Sequence, residues 1–263
     1  MRPMDCFGGE TMSDAVAAIF EQELGRRGVA FRFDDGSGCY VVRHDGRDLF
    51  VSVDNLARKY LRDPDEEHVV RFIDIVLSAP LGPRSWEAAR TRVLFCLEPS
   101  DYAEPPDFRN PVSKRVDRVL VDVEPSKETI SWMTPGMLED WRVTLDEVEA
   151  MALSNLAAAL ADATIEYKDI DGVRLGYAAT SIPFKSALIL APNLKQVVSP
   201  LLGWPLHAVI PDRDFLYLWD AQHKTFLNRV GGVVVKEFAA APYPLTTEVF
   251  EIDDGGITAI GAF

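Results

Sequence analysis

The strongest constraint on the fold is the recurrence of Asp-Gly dipeptides between short runs of β-forming residues. An Asp-Gly pair tolerates the positive φ angles of a tight hairpin turn. Two strands joined by so short a turn pair in the antiparallel sense, because parallel neighbours need a crossover connection of about a dozen residues or more. The pairs lie at Asp35-Gly36, Asp45-Gly46, Asp171-Gly172 and Asp254-Gly255.

These hairpins alternate with helical segments along the chain. A hairpin followed by a helix recurs from about residues 39, 119, 164 and 206. Thr144 and Glu147 have the spacing of a capping box, in which each side chain bonds the other residue's backbone N–H at the start of a helix. The pattern predicts an α+β protein with mainly antiparallel sheets, built from recurring β-hairpin-helix units whose helices pack on one face.

A proline-rich stretch indicates where the chain divides. Residues 99–113 hold four prolines and show little periodicity, which is typical of linkers and long loops. We therefore predict an N-terminal α+β lobe over 12–98, a linker or loop over 99–113, and a C-terminal α+β lobe over 114–263. Residues 1–11 precede the first helical pattern, and we expect them to be a frayed leader.

Charge and composition exclude several classes of partner. The formal net charge is −14, and such a field repels nucleic-acid phosphates and anionic lipid, so we expect no nucleic-acid partner and no membrane contact. No apolar run approaches the roughly 20 residues of a transmembrane helix. The three cysteines show no pairing pattern, which favours a reducing cytoplasm. A basic protein partner fits this surface.

The common signatures of catalysis and cofactor binding are missing from the sequence. We find no P-loop, no GxGxxG after a strand, no HExxH, no GxSxG and no paired CxxC. None of the four histidines lies three or four residues from another histidine or a cysteine, as metal-ligand pairs commonly do. The sequence predicts no cofactor, no metal site and no catalytic residue.

Asn155 is a candidate for ligand or partner contact. It falls on the apolar stripe of its predicted helix, one residue before Leu156. A buried amide without a partner costs about 1–3 kcal/mol, so its side chain must find hydrogen bonds. Two interpretations follow: the amide ties the helix to a neighbouring loop or strand end, or it lies at the wall of a ligand cleft.

The turn at 211–214 provides the next candidates. Asp212 and Asp214 flank Arg213 between two apolar runs. Two carboxylates around a guanidinium could bind a charged ligand or act as acid and base. The alternative is a solvated turn with a local ion pair of little energetic weight.

Three segments resemble the YtpQ-like family of uncharacterised bacterial proteins, also described as domain of unknown function 1444. They are TPGMLEDWRVTLDEVEAMALSNLAAAL, AVIPDRDFLYL and AAPYPLTTEVFEIDDGG, and SWEAARTRVLFCL is similar to a segment that precedes the family's central strands. The resemblance implies fold kinship and a cytosolic bacterial origin, with no established activity. The positions it singles out are Trp141, Asn155, Leu156, Pro211, Arg213 and Asp214.

Three functional hypotheses follow. The first is a non-enzymatic protein that binds another macromolecule, with an acidic surface for a basic partner and edge strands for pairing. The second is an enzyme of unassigned, hydrolytic class that uses the carboxylates of the 211–214 turn. The third is a small-molecule sensor whose cleft lies between the two predicted lobes, around the proline-rich segment. We favour the first, because no signature of an active site is present.

Overall fold

The structure is a computed structural model, and it describes residues 12–36, 38–78, 85–101, 106–123, 130–180 and 182–263. The chain divides into two compact units, Met1–Gly82 and Pro83–Phe263.

The first unit combines a three-stranded antiparallel sheet with three helices. Its strands follow the order β1-β2-β3. The β2–β3 turn has positive φ at Asp45 and Gly46, which is the backbone that the Asp-Gly pair predicts. Phe20, Tyr40 and Ile73 lie in its core. The elements are α1 (Met12–Arg26), β1 (Ala30–Asp34), β2 (Cys39–His44), β3 (Arg47–Val51), α2 (Asp54–Arg62) and α3 (Glu66–Ser78).

The second unit begins with a four-stranded antiparallel sheet and the helices around it. In this sheet β6 is central and pairs with β4, β5 and β7. The capping box at Thr144 and Glu147 is present at the start of the longest helix, α6. The elements are α4 (Trp86–Ala89), β4 (Val93–Pro99), β5 (Arg109–Pro111), β6 (Val116–Val123), β7 (Ile130–Trp132), α5 (Pro135–Trp141) and α6 (Leu145–Asp162).

A six-stranded antiparallel sheet completes the second unit. Its strand order is β13-β12-β10-β11-β9-β8, so β13 and β8 are its two edges. The elements are β8 (Thr164–Ile170), β9 (Val173–Ala179), a 3₁₀ helix (Lys185–Leu190), α7 (Leu194–Leu202), β10 (Leu206–Val209), β11 (Tyr217–Asp220), a second 3₁₀ helix (Lys224–Phe226), α8 (Leu227–Ala240), β12 (Glu248–Asp253) and β13 (Gly256–Ala262).

The predicted fold class is confirmed: the protein is α+β with antiparallel sheets. The helices of the six-stranded sheet, however, cover both of its faces. Val198 and Leu202 of α7 pack in one core with Phe250, whereas Val230 and Val234 of α8 pack with Val249. Adjacent strand residues point to opposite faces, so the expectation of helices on one face does not hold for this sheet.

The boundary between units also differs from the predicted one. It lies between Gly82 and Pro83, not within 99–113. The reason is that β4 and β6 pair from Val93↔Asp122 to Pro99↔Val116, so the proline-rich segment is a connection inside one sheet. Prolines are compatible with such a segment, because β5 lies at the sheet edge, where a missing N–H can face away from the ladder.

None of the helices in the described ranges combines the length and the apolar character that crossing a bilayer requires. The expected frayed leader, residues 1–11, lies outside the described residues.

Candidate functional site

A long groove runs beside β13, at one edge of the six-stranded sheet. β13 lines the groove along one side, and the segment 110–115, which contains the end of β5 and the turn that follows it, forms a second wall. The segment 189–195 and Trp204 complete the groove at the N-terminal end of β13. Two cavities of about 590 and 650 Å³ make up the groove, and they share Val112 and Ile257. Together they follow β13 over its full length. We call this feature the β13 groove.

The 110–115 wall is held in place by Ser113. Its Oγ accepts hydrogen bonds from the backbone N–H groups of Arg115 (3.0 Å) and Val116 (3.1 Å) and donates one to Oε2 of Glu248 (2.7 Å). Glu248 is only 7% exposed and also accepts from Thr246 Oγ1 at 3.2 Å. Because hydrogen bonds to a buried carboxylate are among the stronger ones in proteins, they fix the wall relative to β12.

The same contacts give the groove two distinct ends. Glu248 pairs with Ala262 across β12 and β13, so Ser113 and the residues after it lie at the C-terminal end of β13. Asn110 lines the cavity at the other end, together with Asp254 and Gly256. The 110–115 wall and β13 therefore run in the same direction along the groove.

The edge strand in this groove carries no charge. Its sequence is GITAIGA, and a β-bulge interrupts its pairing with β12. Ile260 is 45% exposed and lines the groove, while Ile257 and Ala259 pack partly against the main core. A strand edge of this kind presents backbone N–H and C=O groups to whatever lies beside it.

The N-terminal end of the β13 groove is built around Asp254. Its carboxylate accepts hydrogen bonds from Lys195 Nζ at 2.6 and 2.8 Å and from Trp204 Nε1 at 3.0 Å. The bond from Lys195 lowers the pKa of Asp254, so this carboxylate is ionised at neutral pH. The ammonium of Lys195 also lies 5.5 Å from the centre of the Trp204 ring. A second carboxylate, Asp253, lines the same cavity.

The C-terminal end of the β13 groove has the opposite charge. Lys114 and Arg115 line it and are exposed. The one carboxylate that lines this cavity is Glu248, which is buried and already accepts hydrogen bonds from Ser113 and Thr246. The lining residues therefore give one end two carboxylates, Asp253 and Asp254, with Lys195 and Arg118, and the other end two exposed cations. Arg118 lies 3.7 Å from Glu149, so Lys195 is the cation that bonds the carboxylates of this end.

Asn155 makes the contacts of a structural residue. Its Nδ2 donates to the carbonyl oxygens of Arg90 and Val93, both at 2.8 Å. These carbonyls lie at the end of α4 and the start of β4, so the amide joins α6 to the neighbouring strand. Of the two interpretations of Asn155, these contacts fit the tie between elements. The residue does not line either cavity of the β13 groove.

The charged turn at 211–214 is built into the protein and does not open into the β13 groove. The carboxylate of Asp212 accepts the backbone N–H groups of Asp214 (2.7 Å) and Tyr243 (3.2 Å). Arg213 donates from Nη1 to Glu98 Oε1 at 2.9 Å, and its guanidinium lies 4.0 Å from the centre of the Tyr243 ring. The turn thus connects β4 to the segment before β12.

Asp214 differs from the other residues of this turn. The protein packed around its carboxyl raises its pKa to about 6, and repulsion from Asp212 adds to the shift. The residue as a whole is exposed, so we attribute the shift to incomplete hydration of the carboxyl group itself, beside the packed residues of the turn.

Trp141 is a packing residue. It is buried, and its ring lies 5.6 Å from that of Trp86. The structure does not bring Trp141, Asn155 and the 211–214 turn together around one cavity of the β13 groove.

The residues of the β13 groove were not among the predicted site residues. A signal was present in the uncharged run Gly256–Ala262 after an Asp-Gly turn, because edge strands in soluble proteins usually carry charge. Within the described part of the chain, no group of three or more His, Cys, Asp or Glu residues is arranged to hold a metal ion.

The comparisons with known proteins give no relative. No family model, no curated protein and no solved structure matches the chain.

Proposed function

We propose that this protein is a non-catalytic binding protein that holds an extended segment of a partner protein along β13. The observation that carries the proposal is an uncharged sheet edge that forms one wall of a groove. Exposed strand edges bind extended peptides by adding a strand, with main-chain hydrogen bonds giving affinity and side-chain pockets giving specificity.

The dimensions of the groove suit one strand. The seven residues of β13 extend over about 23 Å at roughly 3.3 Å per residue. The 110–115 wall also lines the groove, so we expect the space to suit a single extended chain better than the sheet edge of a second copy. This favours a peptide segment over self-association as the occupant.

The groove also offers apolar surface at regular positions. Val112, Ile257 and Ala259 line it and are partly buried. In a bound strand, alternate side chains point to the same face. We expect a partner segment with small β-branched or aliphatic residues at every second position, which would cover these three residues.

The overall charge supports a basic partner protein. A net charge of −14 attracts positively charged proteins over distances of about a Debye length, which accelerates their encounter. The proposal includes the cytosolic bacterial setting that the YtpQ-like resemblance implies.

The structure offers less support for an enzyme that uses the 211–214 turn. Asp212 bonds two backbone N–H groups and Arg213 pairs with Glu98, so these polar groups already have partners within the protein. The turn does not line the β13 groove. We therefore do not carry the hydrolytic hypothesis forward.

Selection of random peptides tests the proposed function. A displayed library of peptides of about nine residues, long enough to span β13 at roughly 3.3 Å per residue, is panned against the purified chain. We expect enriched peptides to bind and to slow the deuterium exchange of β13 amides. Replacing Ile260 with Lys should weaken binding at least about tenfold, because an edge lysine disrupts both the apolar contact and strand addition.

The matched control is Tyr167→Lys in β8. Tyr167 is 44% exposed and Ile260 45%, and both lie on edge strands of the same sheet. Tyr167→Lys should change peptide affinity less than about twofold, because its site is remote from the peptide. The proposal fails if no peptide is enriched, if both variants bind equally, or if sedimentation shows that β13 is covered by a second copy.

A further inference from the structure

We infer that the β13 groove fixes the direction of the bound strand through opposite charges at its two ends. This inference rests on the proposed function and deepens it, since it specifies the charge order of the segment that binds. The partner segment carries a basic residue where it meets Asp254 and an acidic residue where it meets Lys114 and Arg115.

The acidic end is arranged for a cationic side chain. Trp204 Nε1 and Lys195 Nζ both donate to Asp254, which fixes its carboxylate beside the indole ring. Lys195 lies 5.5 Å from the centre of that ring and is half exposed at its side chain, 51%. An aromatic face beside a carboxylate attracts ammonium and guanidinium groups, and Lys195 shows that a cation is accommodated there.

Lys195 does not neutralise the negative charge of this end completely. Asp253 is the second carboxylate in the same cavity, and its Oδ1 accepts only the backbone N–H of Gly255, at 2.7 Å, among the hydrogen bonds of the described residues. The side chain of Asp254 is 72% exposed. A second cation can therefore approach the pair from the groove without displacing Lys195.

The basic end is arranged for a carboxylate. The backbone of Ser113, Lys114 and Arg115 forms the turn between β5 and β6, fixed by the bond from Ser113 to Glu248. Lys114 and Arg115 are exposed at this turn, and no ion pair within 4.0 Å involves them among the described residues. An acidic side chain of the partner would meet two cations here.

Pairing geometry converts these charges into a sequence order. All neighbouring strands of the sheet are antiparallel, and antiparallel pairing is slightly more stable than parallel pairing. A partner antiparallel to β13 enters at Ala262 and leaves at Gly256. Its acidic residue therefore precedes its basic residue, with about five residues between them at roughly 3.4 Å per residue.

Two peptides of identical composition test the inference. Both have about nine residues, blocked ends and alternating Val and Thr, matched to the groove length. One places Glu near its start and Lys near its end, and the other exchanges the two. We expect the Glu-first peptide to bind about five- to tenfold more tightly by fluorescence anisotropy at low salt, since two exposed ion pairs form in this order and are lost in the other.

Variants show whether the preference comes from the groove. Lys114→Gln with Arg115→Gln should reduce the difference between the peptides at least about twofold, and Asp254→Asn should do the same. Lys236→Gln is the control, since Lys236 is an exposed lysine on α8 outside the groove. The preference should also decrease in about 0.5 M salt, which shortens the Debye length.

The outcomes separate this inference from the function it rests on. Equal binding of the two peptides, tighter binding of the Lys-first peptide, or a preference that survives all groove variants overturns the charge-order inference while leaving strand binding intact. Failure of both peptides, and of any panned peptide, to bind overturns the proposed function itself.

Discussion

The two edge strands of the six-stranded sheet, β8 and β13, differ in their charge and in what lies beside them. β8 has the sequence TIEYKDI, and Glu166, Lys168 and Asp169 place charge along it. β13 has the sequence GITAIGA and no charged residue, but the 110–115 wall stands beside it. Charge on an edge strand prevents pairing with any other chain. Under the proposed function, the 110–115 wall would exclude large partners and admit a single strand, so β8 would be a protected edge and β13 a selective one.

The largest expected effect concerns the glycines near each edge. Gly176 lies in β9, next to β8, and a Cβ there would overlap the side chain of Leu202; Gly261 in β13 has no atom within 4 Å of its added Cβ. Gly176→Ala should lower the free energy of unfolding by about 1–3 kcal/mol through overpacking. Gly261→Ala should change it by less than about 0.5 kcal/mol.

Urea unfolding followed by tryptophan fluorescence measures this contrast. All five tryptophans lie after residue 82, so the signal reports on the second unit. Equal destabilisation by the two substitutions would contradict the view that Gly176 is packed closely against α7 whereas Gly261 faces open space.

The next effect concerns the wall beside β13. Ser113→Ala removes the hydrogen bond to Glu248, and we expect a loss of about 1–2 kcal/mol in the free energy of unfolding, because a buried carboxylate loses one of its donors. Deuterium exchange should accelerate in β13 and in the segment after β5, but not in β8.

Ser131→Ala serves as the control for this variant, because Ser131 is exposed on β7. If exchange in β13 is unchanged in Ser113→Ala, then the wall does not depend on the Ser113–Glu248 bond.

A smaller effect concerns the charges on β8. The double variant Glu166→Thr with Lys168→Thr removes two charges from that edge, while Asp169, which accepts the N–H of Gly172 at 2.9 Å, is kept. Without these charges β8 becomes an open template for strand pairing. We expect concentration-dependent association in sedimentation velocity, absent from the parent protein. Unchanged sedimentation would mean that the charges on β8 do not protect it.

The smallest effect concerns Asp214, in the connection between β10 and β11, the two strands at the middle of the sheet. The pKa of Asp214 is raised to about 6, above the value of about 3.9 in an unfolded chain. The folded state therefore binds more protons between pH 4 and 6, and stability falls as pH rises through this window. Asp214→Asn removes this loss. The free energy of unfolding of the variant, relative to that of the parent protein, should therefore increase from pH 4 to 6.

Thermal unfolding of the parent protein and of Asp214→Asn at a series of pH values measures the difference in stability between them. We expect this difference to stay constant above about pH 7. Peptide binding at β13 should show no corresponding change, because Asp214 does not line the groove. A constant difference across pH 4–6 would show that the Asp214 carboxyl is hydrated as in the unfolded chain.

Local turn chemistry made the antiparallel fold predictable. At Asp45-Gly46 and Asp171-Gly172 the required positive φ angles are present, and each pair joins two strands of a hairpin. The division of the chain was less predictable, because prolines indicate irregular backbone without showing whether the flanking strands pair. Here β4 and β6 do pair across the proline-rich segment.

The candidate site depends on contacts that no local pattern reveals. Asn155 could be identified because a polar residue on an apolar stripe requires partners, and it has them in Arg90 and Val93. The β13 groove could not, since its walls come from distant parts of the sequence. The absence of charge in Gly256–Ala262 was visible, but the wall that makes this edge selective was not.

The bond between Ser113 and Glu248 joins residues 135 positions apart. Contacts of this kind form late in folding, because the entropy of closing a long loop must be overcome before they contribute. In a nascent or partly unfolded chain, β13 is present without the 110–115 wall beside it. The groove is therefore complete only when the second unit has folded, and under the proposed function strand binding would depend on the completion of folding.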